Sequence, residues 1–341
     1  MNGTERCLAA LRGEWPDRVP VILHNFQMAA REDGITMGRF RRDPRALADA
    51  FIHAVERYGY DGIIVDVDTV ALAEAAGVPV DLPEDAPARA HRGRFNELRE
   101  VRELAPVDLR SAERIGVWLE ACRLLVQHFK GEIAIRGNCD QCPFTLAALV
   151  RGMDAWMAEL LDPDCEEDIH ALLGHCTAIT SQFLELMAGT GVAMLSNGDS
   201  TAGTDLISPR LYRAFALPYE QRIVATAHGL GKPYILHICG DTGPIIEDMI
   251  ATGSDGLEID YKTDMQLAHR LMAARTTFVG NIDPSSVLAL GTPAEVVRKT
   301  RALLELFADT PRFIVNAGCA LPPDTPPENL RAMIATAREF R

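Results

Sequence analysis

The chain has 341 residues, a formal charge of −14 and 48% hydrophobic side chains. That size and apolar content allow one large core, since α/β barrels routinely run this long as a single domain. The charge argues against nucleic acid and anionic membrane surfaces as partners, and no apolar run reaches the roughly 18 residues that a membrane-crossing helix needs.

The opening stretch MNGTERCLAALRGEWPDR carries acidic residues and no apolar signal core, so no export signal is expected and a cytoplasmic protein is. Helical and strand patterns then alternate to the end of the chain. The expected strands are Val19–Leu23, Ile63–Val65, Glu132–Ile135, Val192–Leu195, Tyr234–His237, Gly256–Ile259, Thr277–Val279 and Phe313–Val315. Amphipathic helical stretches lie between them, among them Pro44–Tyr58, Ser111–Phe129, Glu166–Met187, Pro209–His228 and Pro293–Phe307. Thr292-Pro-Ala-Glu295 and Thr325-Pro-Pro-Glu328 read as helix starts: a Thr cap, Pro at the first helical position and Glu three residues after the cap. Ser208 before Pro209 reads the same way. The polar, Pro-rich stretch Leu82–Asp108 reads as an excursion between the second strand and the next long helix. Eight strand–helix units with no evident linker predict a (β/α)8 TIM barrel, a single domain spanning residues 1–341.

Chemically capable residues recur just past the strands: His24, Asn25, Asp66, Asp68, Asn138 through Gln141, Asn197, Asp199, His237, Cys239, Asp260, Asn281, Asp283, Asn316 and Cys319. In a barrel the carboxyl ends of the strands converge on one mouth, where active sites form. Asn and Asp at such places also serve as caps and turns, so Asn25, Asn138 and Asn197 taken singly are weak signals. Cys is no turn former, and the eight cysteines are scattered through a long chain, as free thiols in a reducing compartment are. His237 and Cys239 in YILHICGD follow the fifth strand, and Cys319 in FIVNAGCALPPDTPPENL follows the eighth. A His-x-Cys pair alone recurs by chance. Together, one imidazole and two thiolates suit Zn2+, and three protein ligands leave a fourth position open, the pattern of a catalytic zinc.

At these residues the chain resembles the uroporphyrinogen decarboxylase superfamily, and within it the cobalamin-dependent methyltransferase branch. ERCLAALRGEWPDRVPV, CPFTLAALVRG, ISPRLYRAFALPYEQRIV, GNIDPSSVLALGTPAEV and NAGCALPPDTPPENL all look like family segments, so the resemblance spans nearly the whole chain. It implies a (β/α)8 barrel and, at His237, Cys239 and Cys319, zinc ligation. It further implies methyl transfer between a corrinoid co-substrate, free cobalamin or a corrinoid protein, and a small-molecule donor or acceptor such as a thiol. Either direction fits. No corrinoid-binding D-x-H-x-x-G run is present, so the corrinoid is expected from outside. Asp68 and Asp199 are the carboxylates expected in catalysis, with Asp199 or Glu258 as a fourth metal ligand when substrate is absent. Asn138 and Asp140 are expected to contact a polar substrate or the corrinoid.

Two alternatives stay open: a metal-free decarboxylase or lyase in which Asp68 polarises a pyrrole-like ring, and a non-catalytic, zinc-stabilised subunit that docks a corrinoid protein. The decarboxylase fits less well. Its Arg-rich segment after the first strand is replaced here by HNFQMAARED, in which Arg31 is the only basic residue.

Overall fold

The computed structural model describes residues 1–340. Eight parallel strands form one sheet in chain order: β1 Ile22–Leu23, β2 Gly62–Val65, β3 Ala134–Gln141, β4 Met194–Gly198, β5 Tyr234–Ile238, β6 Gly256–Ile259, β7 Thr277–Ile282 and β8 Phe313–Ala317. A parallel bridge between Val21 and Val315 joins the last strand to the first and closes the ring. The expected barrel is therefore observed, and each expected strand overlaps an observed one. The main boundary differences lie at β1, which starts at Ile22, and at β3, which runs on to Gln141.

Helices cover the outside. Among them are α1 Gly3–Arg12, α2 Pro44–Tyr58, α3 Glu113–Phe129, α4 Pro143–Arg151, α5 Glu166–Ala188, α6 Leu217–Gly229, α7 Pro293–Leu306 and α8 Pro327–Glu339. Local chemistry sets their ends. Asp43 accepts from the amides of Arg45 and Ala46 to start α2, and Pro44 fills a position whose N–H would otherwise lack a partner. Thr292 caps α7 through the Glu295 amide and Ser208 caps a short helix through the Leu211 amide, both as expected. Thr325 does not cap α8. Its hydroxyl donates to the Pro322 carbonyl, and the helix starts two residues later, at Pro327. The stretch Pro209–His228 is not one continuous α-helix. Residues Tyr212–Ala216 form a π turn, followed at once by Pro218 in the first turn of α6, where Pro cannot supply an N–H to the preceding turn.

The excursion is more structured than its composition suggests. It contributes to a short antiparallel hairpin, Val80–Asp81 with Arg89–Ala90, and contains a 3-10 helix at Leu98–Glu103. Buried Arg41 ties it down by donating to the carbonyls of Pro83, at 2.7 Å, and Ala86.

The alternation of side chains along the strands positions the site. Ile22, Ile64, Ala134, Met194, Ile235, Val279 and Ile314 form an apolar layer near the barrel floor, sealed by Cys7, Ala10 and Leu11 of α1. Two residues further along, on the same face, come His24, Asp66, Arg136, Ser196, His237, Asn281 and Asn316. The inward rows thus pass from a dry base to a polar mouth within one step of the pleat.

Candidate active site

His237 and Cys239 occupy successive inward positions at the end of β5, and Cys319 sits in the loop after β8. One donor atom from each lies within 4.8 Å of the other two, and among the described residues these three form the only such group. The turn after Cys239 is made by Gly240 at φ 87°, whose amide donates to Asp260. Gly318 lets the Cys319 loop lie against the end of β6, because a Cβ there would stand 2.7 Å from the Tyr261 amide nitrogen. The Leu321 amide donates to the His24 carbonyl and fixes the far side of that loop.

The His237 ring is oriented from behind. Nδ1 lies 3.0 Å from the Glu258 carbonyl and donates to it, which turns Nε2 toward Cys239 Sγ, 3.2 Å away. Bonds of about 2.1 Å to nitrogen and 2.3 Å to sulfur, at tetrahedral angles, put two donors about 3.5 Å apart. The spacing, the soft donor set and the backed imidazole therefore fit a divalent zinc ion.

The electrostatics agree. Cys319 donates to Cys239 and, with the His237 imidazole beside it, holds the Cys239 thiol far below the ordinary thiol range. The same contact, added to burial, drives Cys319 up. A cation held by both sulfurs would displace the remaining thiol proton. Burial opposes charge on His237, but the neighbouring Cys239 sulfur and Glu258 outweigh it and raise the ring to about 9.

A cavity of about 180 Å³ opens beside this group. His24, Asp66, Asp68, Arg136, Asn138, Asp140, Gln141 and Glu258 share its wall with the three candidate ligands. His24 Nε2 is 2.8 Å from Asp66 Oδ2. Arg136 and Glu258 form a fully buried ion pair, which holds Glu258 ionised against the cost of burial. Asp68 bonds Arg114, lies 3.5 Å from Arg41 Nε and accepts from the Val70 amide. Asp140 sits in the irregular end of β3, where the register shifts between Asn138 and Gln141. Its φ of 57° is in the left-handed region, which Asp tolerates better than most residues. Its Oδ2 accepts from the Leu72 amide at 2.8 Å, and burial pushes its carboxyl up to about 7. Asn138 accepts from Ser196 at 3.3 Å.

Of the residues singled out from sequence, the fold brings His237, Cys239, Cys319, Asp68, Asn138 and Asp140 to one cavity. Asp199 stands apart. It is fully buried, accepts from the amide and hydroxyl of Thr145 near the start of α4, and is absent from the cavity wall. Neither Asp199 nor Glu258 belongs to the three-donor group. Sequence reasoning named His24 and Asp66 as strand-end residues without foreseeing that they pair, and it missed Arg136. Their signal was positional: each shares the strand parity that carries His237 inward.

A family model for uroporphyrinogen decarboxylase (URO-D) matches residues 2–340, so the chain belongs to the URO-D family. The methylcobamide:CoM methyltransferase MtbA of Methanosarcina acetivorans is 28% identical, over 99% of this chain and 98% of its own. A uroporphyrinogen decarboxylase of Nocardia farcinica is 30% identical, over 98% of this chain and 95% of its own. The solved structure of a methyltransferase from Methanosarcina mazei superposes with a TM-score of 0.91 at 23% identity, over 100% of this chain and 99% of that one, which shows the shared fold.

Proposed function

We propose that this member of the URO-D family is a corrinoid-dependent methyltransferase that moves a methyl group between a corrinoid and a small substrate such as a thiol. The observation that carries the reading is the His237–Cys239–Cys319 group on the wall of a cavity at the barrel mouth. A porphyrinogen decarboxylase has no use for three soft donors in contact. It would also need cations for its substrate's carboxylates, and here Arg136, Arg41 and Arg114 all face acids of the protein itself. The full-length similarity to a methylcobamide:CoM methyltransferase supports the same branch.

In this reading His237 Nε2 and the sulfurs of Cys239 and Cys319 would hold Zn2+, which as a Lewis acid would keep a substrate sulfur ionised near neutral pH. The chain's own groups do the rest. Glu258 fixes the imidazole through its carbonyl, and Arg136 keeps the Glu258 side chain charged and in place. With Nε2 of His24 engaged by Asp66, the other ring nitrogen is left to meet the substrate and take or give its proton. A cavity of about 180 Å³ admits a small thiol or methylated molecule and excludes a corrinoid, so the corrinoid is met at the mouth, from a partner protein or from solution. Asp199 and Glu258 lie outside the donor group, so the chain offers three donors and not a closed set of four, which favours an enzyme over a docking scaffold.

The test joins metal analysis to spectroscopy. Protein made without chelator should carry about one zinc per chain. Mixed with methylcobalamin and a small thiol, it should bleach the methylcobalamin spectrum. Metal-free protein that leaves methylcobalamin untouched and decarboxylates a porphyrinogen overturns the proposal.

A further inference from the structure

The charges in the cavity speak to the substrate itself. Four acids line it, Asp66, Asp68, Asp140 and Glu258, against a single arginine, Arg136, which is already paired with Glu258. Two of the acids have their own partners on the protein: His24 for Asp66, and Arg114 for Asp68. Asp140 has one oxygen on the Leu72 amide, while its Oδ1 finds no protein donor. The side-chain oxygen of its neighbour Gln141 likewise finds none. Asp140 is 1% exposed and Gln141 5% exposed, so water reaches neither freely. Buried acceptors without donors are costly, and a ligand donor recovers that cost.

Resting on the methyl-transfer reading, we infer that the end of the substrate remote from its reacting atom is a hydrogen-bond donor, an ammonium or hydroxyl group, held by Asp140 Oδ1 and Gln141 Oε1, and that an anionic end is rejected. A sulfonate or carboxylate there would meet two acceptors and no free cation, and would face carboxylates across a space with little water. A cation would instead keep Asp140 ionised against its burial. This departs from the archaeal relative, which is named for coenzyme M.

Three thiols of one skeleton isolate the point: cysteamine, 2-mercaptoethanol and 2-mercaptoethanesulfonate, which end in ammonium, hydroxyl and sulfonate. With metal-loaded wild-type protein and methylcobalamin, kcat/KM should fall in that order, with about tenfold or more between the first and the last. Calorimetric Kd values should rise in the same order. Asp140→Asn should cut the advantage of cysteamine over 2-mercaptoethanol to less than about threefold. Rates and Kd values equal within about threefold, or a preference for the sulfonate, overturn the inference and leave the methyl-transfer reading standing. The expected Kd order without turnover of any thiol overturns that reading and upholds the cavity's charge preference. Failure of all three thiols to bind overturns both.

Discussion

The two halves of the mouth are built on different principles. On the side of β5 and β8, three soft side chains meet with few other polar groups among them, each delivered by the end of a strand or by the loop behind it. On the side of β2 and β3, Asp66, Asp68, Asp140, Arg41 and Arg114 form a network of hard charges drawn from two strands, a helix-flanking loop and two helices. On the proposed reading the first half takes an external cation. The second is largely neutralised by the protein, with the side-chain oxygens Asp140 Oδ1 and Gln141 Oε1 and the Nε atoms of Arg41 and Arg114 left without hydrogen-bond partners. The difference teaches that one cavity can group soft donors at one wall while pairing its hard charges internally at the other.

The contrast breaks most sharply at Cys319. Cys319→Ala should take zinc from about one per chain toward none and lower methyl transfer by at least about 100-fold. A 341-residue barrel has ample core without a metal, so the melting temperature should move by less than about 4 °C. Elemental analysis and calorimetry on one preparation decide it, and unfolding on chelation would make the metal a folding element instead.

The opposite half should respond the other way. Asp68→Asn strips the buried Arg114 of one of its two acid partners, leaving Glu74, and removes the nearby acid from Arg41, which should cost about 2 kcal/mol in urea denaturation. Zinc content should stay at the wild-type value. Loss of metal in this variant would show the two walls to be one unit.

A pH effect sharpens the comparison. In the folded chain burial lifts Asp140 to about 7, whereas an unfolded Asp titrates near 3.9. Between those values the folded state holds a proton that the unfolded state has lost. The Asp140 contribution to stability is therefore present below about pH 4, falls as pH rises and is gone above about pH 7. Asp140→Asn should flatten that slope and raise stability at pH 8 by about 2 kcal/mol, read from melting curves across pH. A slope unchanged in the variant would place the titration elsewhere.

The smallest effect lies away from both walls. Thr292→Ala removes the cap of α7 and should cost about 1 kcal/mol, with metal content and activity untouched. A change in either would show that the far helices reach the mouth.

How much of this could be read from the chain follows from where each signal is stored. The barrel was legible because eight short β-rich runs alternate with amphipathic helices, and the metal half because Cys has no ordinary reason to sit in a strand-end loop. The charged half was not. Arg136 lies beyond Ile135, where the apolar run ends, yet β3 continues to Gln141 because the parallel ladder with β4 carries the backbone on. Arg41 and Arg114 lie on helical stretches, where an arginine ordinarily means a solvated face, and only tertiary packing turns them toward Asp68. Asp199 reads as a mouth carboxylate by position, but its side chain turns to the start of α4, a choice made by the loop and not by residue type.

Helix α1 carries a consequence of another kind. It precedes all eight strands, yet its floor contacts come from strands spread along the chain. Thr277 donates to the Ala10 carbonyl and Arg312 to that of Leu11, across 267 and 301 residues. During synthesis the apolar face of α1 therefore stays unsatisfied until nearly all of the chain has left the ribosome. The last strand and the first helix close the barrel together, so its cooperativity is that of a ring and not of a stack. Nascent chains cut short of β8 should be prone to aggregation, and the complete protein should fold slowly for its size.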